Sequence, residues 1–163
     1  MTPTPPGPGQ ESVWDYPRPP ALEPSSRTIV ISHGGQEIAR TNRAYRVLET
    51  SHPPVYYLPP QDIQMNYLRP RPGGRTNCEW KGHAHYYDLI VPGKITAAAA
   101  WAYADPRQRF AAIKDYLAFY PSRVDTATVD DEVVQAQEGD FYGGWITKEI
   151  VGPFKGAAGT WGW

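Results

Sequence analysis

The chain has a single cysteine among its 163 residues, Cys78. One thiol makes no intrachain bridge, so the disulfide-stapled scaffold common among small secreted domains is excluded. An excess of charge of either sign is also missing: sixteen basic and seventeen acidic side chains leave a net charge of -1. No global field therefore gathers nucleic acid or an anionic membrane surface. No apolar run approaches the roughly 20 residues that span a bilayer. Met1 to Gly9 shows neither the basic nor the apolar region of a secretory leader. The expected address is the cytoplasm, and neither nucleic acid nor membrane is an expected partner.

Backbone punctuators and rings are abundant instead. Eighteen Pro and fifteen Gly disfavour a helical bundle, and six Trp, eleven Tyr and four Phe make the apolar material mostly aromatic, which suits pleated half-buried surfaces. The length fits one core. A mainly β domain is expected.

Residues 1–10 hold four Pro and two Gly with no apolar anchor, so they read as a disordered tail. Residues 11–27 read as an extended arm pinned by Trp14, Tyr16 and Leu22. The body, residues 28–135, carries three hairpin signals: Gly34-Gly35, Pro92-Gly93 and Asp130-Asp131, each between β-branched or aromatic runs. Further strands are expected over residues 44–48, 55–58, 63–68, 98–103 and 117–120, and one short helix over residues 106–115, where Phe110, Ile113 and Leu117 recur at helical spacing. Alanines 97–100 suit a helix or a strand of small residues equally. A loose echo links Gly35 through Ile63 with Gly93 through Asp125, each running from hairpin to aromatic-Pro step to polar turn. Residues 136–163 are Gly- and Trp-rich, and 139–163 read as a wrapping loop.

Several motifs occur together in one order: Val47-Leu48-Glu49-Thr50, Pro53 through Pro59, Cys78-Glu79-Trp80-Lys81-Gly82 with Tyr86-Tyr87-Asp88, Trp101-Ala102-Tyr103, and Ala118-Phe119-Tyr120-Pro121 with Arg123-Val124-Asp125. In these the chain resembles the family called domain of unknown function number 427, over residues 28–135. The ending from Gly143 to Trp163 is similar to the extension of its longer members. The family motif usually has proline where Glu79 stands. The resemblance implies a compact antiparallel β-tent, similar in topology to methionine-R-sulfoxide reductase B, two sheets pinned at one end and open at the other. An open end implies a pocket. A nucleotidyltransferase label attached to the family finds no support in these residues, since the Gly-Ser motif and paired carboxylates of that chemistry are missing.

Each candidate side chain has a chemical and a structural reading. Cys78 becomes a nucleophile if Lys81, His83 and His85 favour its thiolate, and is otherwise a small buried hydrophobe. Cys78, His83 and His85 offer three zinc ligands without a fourth, so no metal is expected. Glu49 reads either as a general base or ligand acceptor, or as an ion-pair partner of Arg46 or Lys81. His52 titrates in the right range for proton transfer, although a structural role is favoured. Lys81 and Lys155 each stand between an aromatic residue and glycine and suit a phosphate or carboxylate, Lys81 better. The stretch 152–160 lacks the Gly-Lys-Ser/Thr order of a phosphate loop and is rejected. On strands, adjacent rings split between faces, so about half should fill the core and half should face a cavity.

The expected function is binding of a small polar or nucleotide-like metabolite, without a cofactor, in a pocket walled by Tyr57, Trp101, Tyr103 and Tyr120 with Glu49 and Lys81 as polar anchors. Two alternatives stand beside it: an enzyme acting on such a metabolite through Cys78 or Glu49, and an interaction module that docks a partner protein through the arm or the tail.

Overall fold

The structure is a computed structural model that describes residues 1–78, 81–139 and 141–163, with the side chains of 74–78 outside the description. Its strands are β1 (Glu11–Ser12), β2 (Ala21–Ser25), β3 (Ile29–His33), β4 (Gln36–Thr41), β5 (Ala44–Leu48), β6 (Val55–Tyr57), β7 (Leu68–Cys78), β8 (Gly82–Val91), β9 (Lys94–Ala102), β10 (Leu117–Phe119), β11 (Thr126–Val129), β12 (Glu132–Val133), β13 (Gln135–Ala136), β14 (Trp145–Ile146) and β15 (Ile150–Val151). The protein is mainly β, as its composition implies.

All three expected hairpins form. At β3–β4, Gly34 and Gly35 both take positive φ, +57° and +77°, as a tight two-residue turn between right-twisted strands requires. At β11–β12, Asp130 and Asp131 reach φ +47° and +67° without being glycine. Asp130 accepts hydrogen bonds from Arg27 Nη1 (2.9 Å) and the Thr28 amide (2.8 Å), which help hold that turn.

Among the described residues, three antiparallel sheets have three or more strands: β10-β9-β8-β7, β12-β11-β3-β4 and β2-β5-β6. The first and third are stitched together. Leu58 and Leu117 exchange both backbone bonds, at 2.8 and 2.9 Å, so the end of β6 pairs alongside the start of β10 and a broad composite surface forms. One side of that surface makes the main core with β3, β4 and β11, centred on Ile29, Ile31, Ile38, Tyr56, Leu89 and Phe119. Trp145 from the C-terminal segment completes it and donates its indole N–H to the Phe119 carbonyl at 3.1 Å.

The period of two decides which ring goes where. Tyr56 and Phe119 lie in the main core while their neighbours Tyr57 and Tyr120 join a second cluster with Trp101, Tyr103, Phe110 and Ile113. The alanines belong to β9, and Ala99, Ala100 and Ala102 lie beneath the main core. Their small side chains leave room for the larger core residues opposite, and so the strand reading holds.

Two local expectations are corrected, and two further features are refined. The expected short helix forms over Gln108–Ile113 as 3-10 turns: Phe110 and Ile113 both bury, a three-residue period aligns i with i+3, and Phe110 departs from helical geometry (φ -114°, ψ 21°). Met65–Tyr67 is also a 3-10 turn, so the strand expected over 63–68 starts only at Leu68. β7 then runs through Pro70 and Pro72, which lack a donor, yet it is an edge strand with a register shift after Pro70, where the sheet does not need every amide. The C-terminal segment is not wholly loop: β14 pairs with β13, and β15 pairs in parallel with β1.

That last pairing joins arm to extension. Val13, Tyr16, Leu48 and Ile150 form a third apolar cluster. Arg46, largely buried, donates to Glu11 (2.7 Å) and Glu23 (2.6 Å), so one guanidinium ties β5 to both β1 and β2. The Glu49–Arg46 pair expected as a structural role is thereby replaced.

Candidate functional site

The outer side of the composite surface is incompletely covered. Val47 and Val55 are cross-strand partners on β5 and β6, Tyr86 and Trp101 on β8 and β9. With Tyr57 and Tyr103 they floor a cavity of about 330 Å³, at the small end of the range for ligand pockets. The floor rings are fixed by one another. Trp101 donates its indole N–H to the Tyr57 hydroxyl at 3.2 Å, a buried bond. Ring centroids lie 6.2 Å apart for Tyr57 and Trp101, edge to face, and 4.5 Å for Trp101 and Tyr120. Arg123 stacks 4.0 Å from the Tyr120 ring centre and donates to the Ala98 carbonyl at 2.7 Å, which holds that wall from behind.

The roof comes from the C-terminal segment. Gln137, Phe141, Tyr142, Gly143 and Lys155 all line the cavity. Gly143 sits directly on Trp101: a Cβ there would lie 2.2 Å from the ring carbon Cη2. Gln137, almost fully buried, donates to the Lys155 carbonyl (2.6 Å) and accepts from the Gly144 amide (3.2 Å). One amide side chain thereby clamps the two limbs of the roof. The Lys155 amide closes the other edge by donating to the Ser51 carbonyl at 2.8 Å.

The polar rim is Glu49, His52, Lys81 and Lys155. Glu49 stands just past β5, where strand alternation places it on the side of Val47, and it faces Arg18 of the arm at 3.4 Å. His52 Nδ1 lies 3.0 Å from the Thr50 carbonyl, which can only accept, so Nδ1 carries the proton and Nε2 is left as an acceptor. Burial holds the imidazole below its usual range, Glu49 at 3.9 Å opposes that shift, and Lys155 and Arg18 reinforce it. The ring is therefore neutral at pH 7. Burial also raises the Tyr120 phenol, with Tyr86 beside it adding to the shift, so Tyr120 stays a donor, reaching the Phe141 carbonyl at 3.5 Å. Tyr142 is raised by burial and then by Glu49, and meets His52 edge to face at 5.4 Å.

Glu49, Lys81, Tyr57, Trp101, Tyr103 and Tyr120, singled out from the sequence, thus meet around one hollow. Cys78 ends β7 opposite Gly82, but its side chain lies outside the described residues, as does Trp80, so neither the nucleophile reading nor the three-ligand metal reading is placed. Sequence reasoning missed Tyr142, Gly143 and Gln137 as site residues. The aromatic-Lys-Gly motif at Lys155 was the one available signal for the roof.

The arrangement offers flat apolar faces for stacking, phenol and imidazole groups for directed hydrogen bonds, and ammonium groups at the mouth. Among curated proteins none matches the chain. The family model described as Domain of unknown function (DUF427) matches residues 21–130, which hold the whole floor but none of the roof. With well over half of its residues matched in this way, the chain belongs to the DUF427 family.

Proposed function

We propose that the protein binds a small, flat, polar or nucleotide-like metabolite between the aromatic floor and the C-terminal roof. The observation that carries this reading is the convergence of Tyr57, Tyr86, Trp101, Tyr103 and Tyr120 with Glu49, His52, Lys81 and Lys155 on a single hollow of about 330 Å³. Filler residues would have closed such a space, since protein interiors pack to crystal density. The ring faces supply affinity for a planar body, and the rim orients it.

A thermal-shift screen of nucleosides, nucleotides and aromatic metabolites tests the reading. A ligand present at a hundredfold its Kd stabilises the native state by about 2.7 kcal/mol and raises Tm. A planar polar compound is expected to shift the wild-type protein and to leave a folded Trp101→Ala variant unmoved. The reading is overturned if no compound shifts the wild-type chain, or if Trp101→Ala responds equally.

A further inference from the structure

The roof does more than exclude water. Lys155 is a placed cation: its carbonyl is held by buried Gln137, its amide by Ser51, and its Nζ lies 5.9 Å from the centre of the Tyr142 ring. The following Gly156 packs closely against the chain at residue 138, since a Cβ there would sit 2.2 Å from the Glu138 carbonyl oxygen. Many cations of the surface face a carboxylate. Arg18 meets Glu49, Arg43 meets Asp62, Arg71 meets Asp88 and Lys94 meets Asp125. Lys155 has no carboxylate within 4 Å among the described residues.

The charge of the lining points the same way. Among the described residues, the Lys, Arg, Asp and Glu side chains that line the hollow are Lys81, Lys155 and Glu49. That carboxylate is already opposed by Arg18. Beside Lys155 stands His52, whose Nδ1 faces the Thr50 carbonyl and whose Nε2 is the ring's acceptor. Among the described residues, the lining thus carries more cationic than anionic side chains.

We infer that the ligand is a planar aromatic molecule carrying an oxyanion, a carboxylate or a phosphate, and that Lys155 of the C-terminal segment is the residue that selects for that anion. The inference rests on the pocket reading above and deepens it. The ring of the ligand lies on Trp101 and its neighbours, the anion reaches the mouth below Lys155, and a donor on the ring meets His52. Because Lys155 lies beyond residue 130, the family-matched body supplies the stacking surface and the segment after it supplies the selectivity.

Two matched pairs of probes test this: indole-3-acetate against indole-3-acetamide, and adenosine 5′-monophosphate against adenosine. Titration calorimetry at fixed ionic strength is expected to show at least one anion binding about tenfold or more tightly than its neutral partner, the scale of a charge-assisted hydrogen bond. Which pair shows it separates carboxylate from phosphate. Lys155→Met, which keeps the aliphatic stem over Tyr142, should abolish the difference while leaving the neutral partner's affinity in place, and Lys155→Arg should retain it. A second readout separates charge from mere support. The His52 titration followed by NMR should move upward in Lys155→Met, and upward on binding the anion but not its neutral partner, with Glu49, Arg18 and Tyr142 unchanged around it.

Equal affinities within both pairs, or a difference that survives Lys155→Met, overturn the role of Lys155 and leave the pocket standing. If the screen of the previous subsection yields a ligand while neither anion here binds, the aromatic-oxyanion class is overturned and the pocket again stands. If that screen yields nothing, the pocket reading falls and this inference with it.

Discussion

The two sides of the composite sheet are built from the same strands and nearly the same residue types, yet one is solid and the other hollow. Tyr56 and Phe119 face inward, where β3, β4 and β11 lie across them and Trp145 fills the remaining space. Tyr57, Trp101 and Tyr120 face outward, where they cluster with Phe110 and Ile113 and the short C-terminal segment roofs the hollow beside them. The inner rings are covered by apolar neighbours, whereas the outer ones pair their polar atoms with each other, as Trp101 does with Tyr57. The difference teaches that a ring's fate here is set by which layer lies opposite it, and that parity along the strand decides which layer that is.

The strongest way to break this comparison is to empty the solid side. Phe119→Ala removes a fully buried ring from between two sheets and should cost about 3–5 kcal/mol, read as a lower urea midpoint. Loss of less than about 1 kcal/mol would mean that the inner layer is not packed as described. On the hollow side the sensitive point is the seat of the roof. Gly143→Ala places a methyl group against Trp101 and should cost about 1–3 kcal/mol and weaken ligand binding, whereas Gly162→Ala, with open space around it, should do neither. Equal behaviour of the two variants would detach the roof from the floor.

The smallest effect is expected from pH. His33 is buried at the edge of the solid side, where its Nδ1 accepts from the Asp125 amide (3.0 Å) and its Nε2 lies 2.9 Å from Thr96 Oγ1. Burial, then Lys94, lowers its pKa below the ordinary 6.5, although Asp125 pulls the other way. The unfolded chain therefore takes up that proton first as pH falls. Stability is full above about pH 6.5, declines below it, and stops declining once folded His33 also protonates. His52 acts in the same sense. Urea melts from pH 7.5 to 5 should show the decline and His33→Gln should flatten it; an unchanged slope in that variant would assign the effect to His52 alone. The depressed carboxylates Asp62, Asp88 and Asp130 act in a separate window, losing their contribution below about pH 4.

Much of the architecture was legible because its signals are local. Gly34-Gly35, Pro92-Gly93 and Asp130-Asp131 mark turns by their own backbone preferences, and the pairs Tyr56-Tyr57 and Phe119-Tyr120 declare two faces without knowledge of what covers either. That parity argument brought Tyr57, Trp101, Tyr103 and Tyr120 to one site. The stitching of Leu58 to Leu117, the Arg18–Glu49 contact and the seating of Gly143 on Trp101 were not legible, because each joins residues far apart in sequence and leaves no periodic trace. The edge strand through Pro70 and Pro72 was missed for the opposite reason. Proline is depleted in strands and gives no strand signal, and only its place at the rim of the sheet makes it acceptable.

The parallel pairing of Glu11 with Ile150 and of Ser12 with Val151 turns the two outer segments into a belt around the body. A belt grips only while it is buckled. Val13, fully buried in that buckle, touches nothing in the hollow, yet slackening it would loosen the lid at the far end of the strap. On the proposed function, the tightness of binding is therefore governed partly by residues that no inspection of the cavity would reveal.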